Sequence, residues 1–194
     1  MSGGDSEGNV IYDIMNAIFL PINLVLYDHS RGFRVRSSAE ASHSVAVTIQ
    51  LPTGEMKLGE HLSRIDRIWY FRRGENWIPF AFVEFKRKDA INASDWEPAI
   101  RGGEVVGKGM RMCRQGSKYL HSLDICHMGF HDGERGVYLK VGGSREDLYS
   151  STPLAVRPGP AQARWVATPG EQRRYGYLFL VEALEYQLRR YGLL

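Results

Sequence analysis

"RIDRIWYFRRGENWIPFAFVEFKRK", Arg64 to Lys88, decides how this chain folds. Its two arms, "RIDRIWYF" (Arg64–Phe71) and "WIPFAFVEFK" (Trp77–Lys86), are rich in aromatic and β-branched residues, and the short "RRGEN" between them carries Gly74 and Glu75. Two such runs around a tight glycine turn predict a β-hairpin. Strand side chains alternate between faces. Glu84 and Lys86 are therefore expected to share a face with Ile78, Phe80 and Phe82, and Pro79, Ala81, Val83 and Phe85 to take the other. Both faces are apolar, which predicts an interior strand covered on both sides. An unpaired charge in that position costs on the order of several kcal/mol, so Glu84 and Lys86 need partners or a purpose.

A hairpin closed symmetrically about position 75 sets residue 66 opposite residue 84. Directly opposite residues point to one face with Cβ atoms about 4.5–5.5 Å apart, which puts Asp66 beside Glu84. Two carboxylates ~4 Å apart repel by roughly 4 kcal/mol at an effective dielectric of about 20. Folding alone gives no reason to build that pair. A hard divalent cation does, because Mg²⁺ takes one or two carboxylates together with waters. Lys86, one pleat further on the same face, can orient a metal-bound water or steady charge building on a phosphate. The plain alternative is a structural ion pair, Lys86 bridging Glu84 or Asp66 at a sheet edge.

Outward from the hairpin, "SVAVTIQL" (Ser44–Leu51) alternates and reads as a strand, and "PTGEMKLGEH" after it as a turn-rich connection. Apolar residues at 11, 14, 15 and 18 predict a helix from Val10 to Leu20, stopped by Pro21. "KDAINASDWEPAIRGG" reads as a loop or insertion. Glu104 to Leu123 carries a helical pattern weakened by Gly107, Gly109 and Gly116. "HMGFHDGERGVYLKV" (His127–Val141) reads as a second hairpin turning at Asp132-Gly133. "TPGE" (Thr168–Glu171) is a capping box with proline at the first helical position. Tyr177, Val181, Leu184, Leu188 and Tyr191 then form one amphipathic stripe, with Glu185 and Arg189 as a supporting pair four apart. The order predicts a mixed α/β or α+β domain. It spans residues 10–194 and follows a polar leader, residues 1–9.

The chain of 194 residues is 43% hydrophobic and 24% charged, enough for one domain with a substantial core. A net charge of +3 permits a nucleic-acid partner without requiring one. Two cysteines, Cys113 and Cys126, make no disulfide scaffold and suggest a reduced, intracellular setting, cytoplasmic or nuclear. No apolar run approaches the roughly 18 residues of a membrane span, and the N-terminus is unlike a signal or transit peptide. Secretion and a membrane partner are thus not expected.

"RIDRIWYF" followed across a tight turn by "IPFAFVEFKRK" resembles the core signature of the PD-(D/E)xK nuclease superfamily, an Asp on one strand and E-x-K on the next. The matching residues are Asp66, Glu84 and Lys86. Asp66 follows Ile65 where many members have proline. The resemblance covers about Val10 to Val141. It implies a restriction-endonuclease-like mixed β-sheet flanked by helices, here extended by the C-terminal amphipathic helix. It also implies a Mg²⁺ (or Mn²⁺) site formed by Asp66, Glu84 and the carbonyl of Phe85, with Lys86 assisting the attacking water. Many members place a further Glu on the first helix or strand; Asp13 and Glu40 are the candidates. Several branches carry a Gln on the helix after E-x-K, and "RQGSKYL" (Arg114–Leu120) resembles their Gln-x-x-x-Tyr helix. Gln115 is accordingly expected to help orient the water or the scissile phosphate. Lys108, Arg111 and Lys118 recur beside it at helical spacing.

The expected function is metal-dependent hydrolysis of phosphodiester bonds in nucleic acid, DNA ahead of RNA. Arg87, Lys88, Lys108, Arg111 and Lys118 would contact the backbone. The alternatives are a nuclease-like fold that binds nucleic acid or protein without cutting, and a purely structural interaction domain. A homodimer, or a place in a longer multidomain protein, is compatible with each. Other patterns carry less. "GGEVVGKG" (Gly102–Gly109) looks like a phosphate loop, but Gly109 stands where a hydroxyl should hold Mg²⁺ and no apolar strand precedes it. Cys113, Cys126, His127 and His131 match no usual zinc spacing, and a half-exposed strand surface accounts for the two histidines. His43 reads as an exposed loop residue. Arg67, Arg72 and Arg73 cluster near the hairpin as a charged rim or a backbone contact, with Trp69, Tyr70 and Trp77 as hairpin packing.

Overall fold

The computed structural model describes residues 14–28, 32–50, 55–101, 103–141, 164–166 and 168–194. The expected leader and Asp13 lie outside the described residues. Among the described residues, six strands form one sheet in sequence order: β1 (Val35–Gln50), β2 (Met56–Arg73), β3 (Asn76–Phe85), β4 (His127–His131), β5 (Gly136–Lys140) and β6 (Arg164–Val166). β3 and β4 are parallel and every other neighbouring pair is antiparallel. A parallel neighbour needs a crossover connection. Helices α2 (Ala93–Ile100) and α3 (Gly107–Leu123) supply it, while α1 (Leu20–Asp28) and α4 (Pro169–Arg190) cover the opposite face. The result is an α+β domain with a mixed sheet between helices.

The core is accordingly double. Ile68, Phe82, Met128, Phe130 and Leu139 pack with Trp96, Cys113 and Leu120 of α2 and α3. Trp69, Phe71, Val83, Phe85 and Tyr138 pack with Ile22, Leu26, Leu180 and Leu184 of α1 and α4. β3 is thus the interior, two-sided strand its composition predicts, with Phe80 to Phe85 all buried.

The alternation on β3 slips once. Trp69 pairs with Ala81 but Tyr70 pairs with Pro79, which leaves Phe80 as the extra residue of a bulge. Proline cannot donate to the ladder and is tolerated in sheets at such bulges. Phe80 and Ile78 consequently join the α1–α4 core rather than the face of Phe82, contrary to strict alternation. The bulge also sets the register. Arg73 pairs with Asn76 around the Gly74-Glu75 turn, and the added residue brings Arg67 opposite Val83. Continuing that ladder by one step sets Asp66 opposite Glu84, as the sequence predicts.

Three local expectations need correction. Pro21 does not stop the first helix: a π-helical stretch, Met15–Phe19, runs directly into α1. A proline in a helix strands the carbonyl four residues earlier. Here that carbonyl, on Ala17, accepts from Arg173 Nε of α4 at 2.8 Å. The stretch after Lys86 is not a plain loop, because it contains α2, whose Asn92 caps Ser94 and whose Trp96 is buried. "PTGEMKLGEH" is mostly strand: Met56 to Ile65 pair with Ala41 to Gln50 in a ribbon that extends past the β2–β3 pairing. α4 forms as expected, with Thr168 Oγ1 accepting from the Glu171 N–H at 3.4 Å and Pro169 opening the helix.

Candidate functional site

Glu84 sits near the C-terminal end of β3 on the face covered by α2 and α3, and only 3% of it is exposed. Lys86 Nζ lies 3.0 Å from Glu84 Oε2. The other carboxylate oxygen, Oε1, is buried with no hydrogen-bond partner among the described residues. Burial pushes the Glu84 carboxyl above its ordinary pKa and the charge of Asp66 adds to the rise, while Lys86 and the Asp66 backbone N–H pull it back part of the way. The two carboxylates therefore feel each other, as their register requires. Asp66 is fixed in place, because its Oδ2 accepts from the Phe85 backbone N–H at 2.7 Å. The Lys86 N–H donates to the His131 carbonyl at 2.7 Å, extending the β3–β4 ladder past the strand end.

The structural ion pair weighed above is present in part. Lys86 does bridge Glu84, yet β3 is an interior strand and not a sheet edge. A purely structural pair would satisfy both oxygens, since a buried polar atom without a partner costs roughly 1–3 kcal/mol. The Lys86 pair therefore leaves Oε1 of Glu84 without a hydrogen-bond partner among the described residues, within reach of the charge of Asp66.

Gln115 lies on the exposed side of α3, and its amide donates to the Tyr119 hydroxyl at 2.9 Å. The Tyr119 ring meets Phe82 edge-on at 5.6 Å, two residues from Glu84 on the same face. α3 can lie this close because it has no side chain at Gly116, where a Cβ would come within 2.5 Å of Met128 Sδ and 3.2 Å of Phe130 Cζ. Lys108, Arg111 and Lys118 are exposed along the same helix. Arg87 is exposed after the strand, whereas Lys88 is engaged with Glu134 at 2.8 Å.

Of the two candidates for a further carboxylate, Glu40 lies in β1. Ala39 pairs with Arg67 and Ala41 with Ile65, so position 40 falls opposite Asp66 in register. His43 also lies in β1, opposite Ser63, and not in a loop.

The hairpin arginines do not gather at this site. Arg72 and Arg73 stand at the turn, the far end of β2 from Asp66. Arg72 bonds the Gly74 carbonyl and Glu75, and Arg73 lies over the Tyr191 ring at 4.9 Å. Arg67 is half-buried, near Met15 Sδ and Ser37 Oγ. Trp69 and Tyr70 are buried and Trp77 is half-buried under Arg36, so all three serve packing.

No zinc centre forms from the cysteines and histidines. Cys113 is buried between α3 and the sheet, while His127 and His131 face the opposite core. Neither histidine is half-exposed as expected: His127 is 1% exposed and His131 0%. The glycine-rich "GGEVVGKG" is closed to phosphate, because Asp95 Oδ2 already accepts from the N–H groups of Lys108 and Gly109 at 3.0 and 3.2 Å.

Two residues absent from the sequence-based site hold it together. Asp132 is fully buried and its carboxylate accepts from the N–H groups of Ile91, Glu134 and Arg135. Arg135 Nη1 donates to the Ile91 carbonyl at 2.9 Å. Together they latch the segment after Lys86 onto the β4–β5 turn. The Asp-Gly turn was visible in sequence, but not its reach across about forty residues to Ile91. Among the described residues no helix is long and apolar enough to cross a membrane. No family model matches the chain, and neither a curated protein nor a solved structure matches it.

Proposed function

We propose that the protein is a metal-dependent nuclease that hydrolyses phosphodiester bonds, DNA ahead of RNA, at Asp66, Glu84 and Lys86. One observation carries the reading: a buried Glu84 with one oxygen unpartnered among the described residues, flanked by Lys86 just past the end of its strand and by Asp66 across the hairpin. Asp66, Glu84 and the carbonyl of Phe85 would hold Mg²⁺ or Mn²⁺. When bound, the ion supplies Lewis-acid polarisation of the phosphate and a lower pKa for water. Lys86, 19% exposed at its side chain and now paired with Glu84, would assist the attacking water or a phosphate oxygen. Gln115, fixed through Tyr119, would orient the water or the phosphate from the helix side.

The test is cleavage of plasmid, linear duplex, single-stranded DNA and RNA with Mg²⁺, with Mn²⁺ and with EDTA, alongside Glu84→Ala and Lys86→Ala. Cutting that needs the metal and vanishes in both variants is expected. Cutting that survives Glu84→Ala overturns the assignment of the site. Binding without cutting by the unmodified protein would replace the enzyme with a nucleic-acid binding module.

A further inference from the structure

The outer faces of α3 and α4 are charged, with Arg111, Lys118, Arg173 and Arg189 among their exposed residues. α1, "LPINLVLYD", is apolar on both sides. Its inner side gives Ile22 and Leu26 to the core. Its outer side exposes Leu20, Pro21, Leu24, Val25 and Tyr27, Leu24 by 60% and Leu20 by 52%. No charged residue occurs from Ile14 to Tyr27. A helix that is hydrophobic all round is ordinarily buried all round, and α1 is buried on one side only.

The order of residues on the outer side fits one kind of partner. Ala17, in the π-helical stretch that leads into α1, is exposed as well. Ala17, Leu20, Leu24 and Tyr27 then follow at intervals of three, four and three, the spacing of a seam between two helices. Read backwards, the row is its own complement. A second copy laid antiparallel, with the two-fold axis beside position 22, sets Leu20 against Leu24 of the partner subunit. The same axis sets Ala17, the smallest of the four, against Tyr27 of the partner subunit, the largest. Such mutual contact is what a two-fold interface requires. Other occupants fit less well. The face offers no cation to a phosphate backbone. A helix that lies on a lipid surface carries Lys and Arg along its polar side, and α1 has neither.

We propose that α1 is a dimer interface, pairing antiparallel with α1 of a second copy of this chain through Ala17, Leu20, Leu24 and Tyr27. The apolar face amounts to on the order of 400–500 Å², as much as the largest patch on a typical monomer. Arg173, exposed and bonded to the Ala17 carbonyl, belongs to a polar rim at one end of it. Face and rim together approach roughly 600 Å² per copy, the lower end of stable interfaces, so association is expected in the micromolar range. α1 covers the sheet face opposite the one that carries Glu84, and the pairing leaves the Glu84 site of each copy uncovered. The inference is thus independent of what Glu84 does.

The experiment is sedimentation velocity from about 1 to about 200 µM, on the unmodified protein and on Leu20→Gln/Leu24→Gln. Both leucines are exposed and Gln is as good a helix former; circular dichroism checks the fold. The unmodified protein is expected to double its mass from 22.0 kDa over this range. The variant should associate roughly tenfold or more weakly, as loss of central apolar contacts requires. A monomer at every concentration would overturn the proposal, and so would a folded variant that dimerises as the unmodified protein does. Flotation with phosphatidylcholine vesicles tests the lipid alternative: a monomer that binds them through Leu20 and Leu24 would replace the dimer with a membrane contact. Cysteine pairing tests the direction, since Cys113 and Cys126 are buried. A mixture of Leu20→Cys and Leu24→Cys proteins should form disulfide-linked dimers faster than either alone; faster linking of each alone would overturn the antiparallel arrangement.

Discussion

Glu84 carries a cost that its own strand does not repay. Its carboxyl pKa is raised in the folded protein, so the folded state holds the proton more tightly than the unfolded chain does. By linkage, such a group stabilises the fold fully below the ordinary carboxylate pKa and loses that contribution as pH rises through the raised value. At pH 7 without metal, Glu84→Gln is therefore expected to be more stable than the unmodified protein by about 1 kcal/mol, read as a shifted urea midpoint. The advantage should shrink as pH falls through the raised value and be gone below about pH 4. Mg²⁺ should raise the midpoint of the unmodified protein and leave Glu84→Gln unmoved. A less stable glutamine variant would make Glu84 foremost a structural partner of Lys86. The opposition of Asp66 and Glu84 came out as counted because two offsets cancel: the hairpin closes on Gly74-Glu75 and not about position 75, and the Phe80 bulge, which the count did not foresee, restores the register. The unpartnered Oε1 was not legible, since it depends on what α2 and α3 bring over the strand. Nor were Asp132 and Arg135, whose partners lie far away in sequence.

At the scale of elements, a crossover between two parallel strands must start its helix cleanly, and Gly107 is where α3 starts. Its φ of +55° is left-handed, and a Cβ there would come within 2.5 Å of Asp95 Oδ1, the other oxygen of the carboxylate whose Oδ2 caps the helix. Gly107→Ala is expected to lose about 2 kcal/mol. Roughly 1 comes from the left-handed backbone and roughly 1 from the displaced cap. Gly170→Ala, in the first turn of α4 with nothing within 4 Å of a Cβ, should be neutral or slightly stabilising. Guanidinium denaturation of the two variants measures both; equal losses would deny Asp95 and the positive φ their role. α4 could be read in advance because its cap, proline and apolar stripe agree. α2 could not, because eight residues holding Ser, Asp and Pro carry little helical signal and its stability comes from burying Trp96. The first helix outran Pro21 for a similar reason: Arg173, 156 residues away, supplies what the proline removes.

Over the whole molecule, the sheet buries both faces, and that sets the pH range in which it stays folded. His127 and His131 are neutral in the core facing α1 and α4, with pKa values lowered by burial to about 3 and about 4. The ammonium of Lys140, directly opposite on β5 and paired with Glu182, lowers His127 further. His127 otherwise meets the rings of Phe179 and Tyr186, and neither of its nitrogens has a partner among the described residues. His131 lies edge-on to Phe19, and its Nδ1 accepts from the Gly133 N–H at 3.0 Å, a bond that protonation would break. Unfolding returns both groups to a pKa of about 6.5. Between that value and their folded values the unfolded chain binds more protons, so stability rises with pH. It should be level above about pH 7, fall below about 6.5 with a slope approaching 2.7 kcal/mol per pH unit, and flatten only as the folded histidines titrate. His127→Phe keeps the ring packing and removes one proton from this balance. Its slope between pH 6 and pH 4.5 should be about half that of the unmodified protein, with stability at pH 7 little changed, as urea denaturation at three pH values would show. An undiminished slope in His127→Phe would take the acid sensitivity off His127 and leave it to other groups, His131 among them.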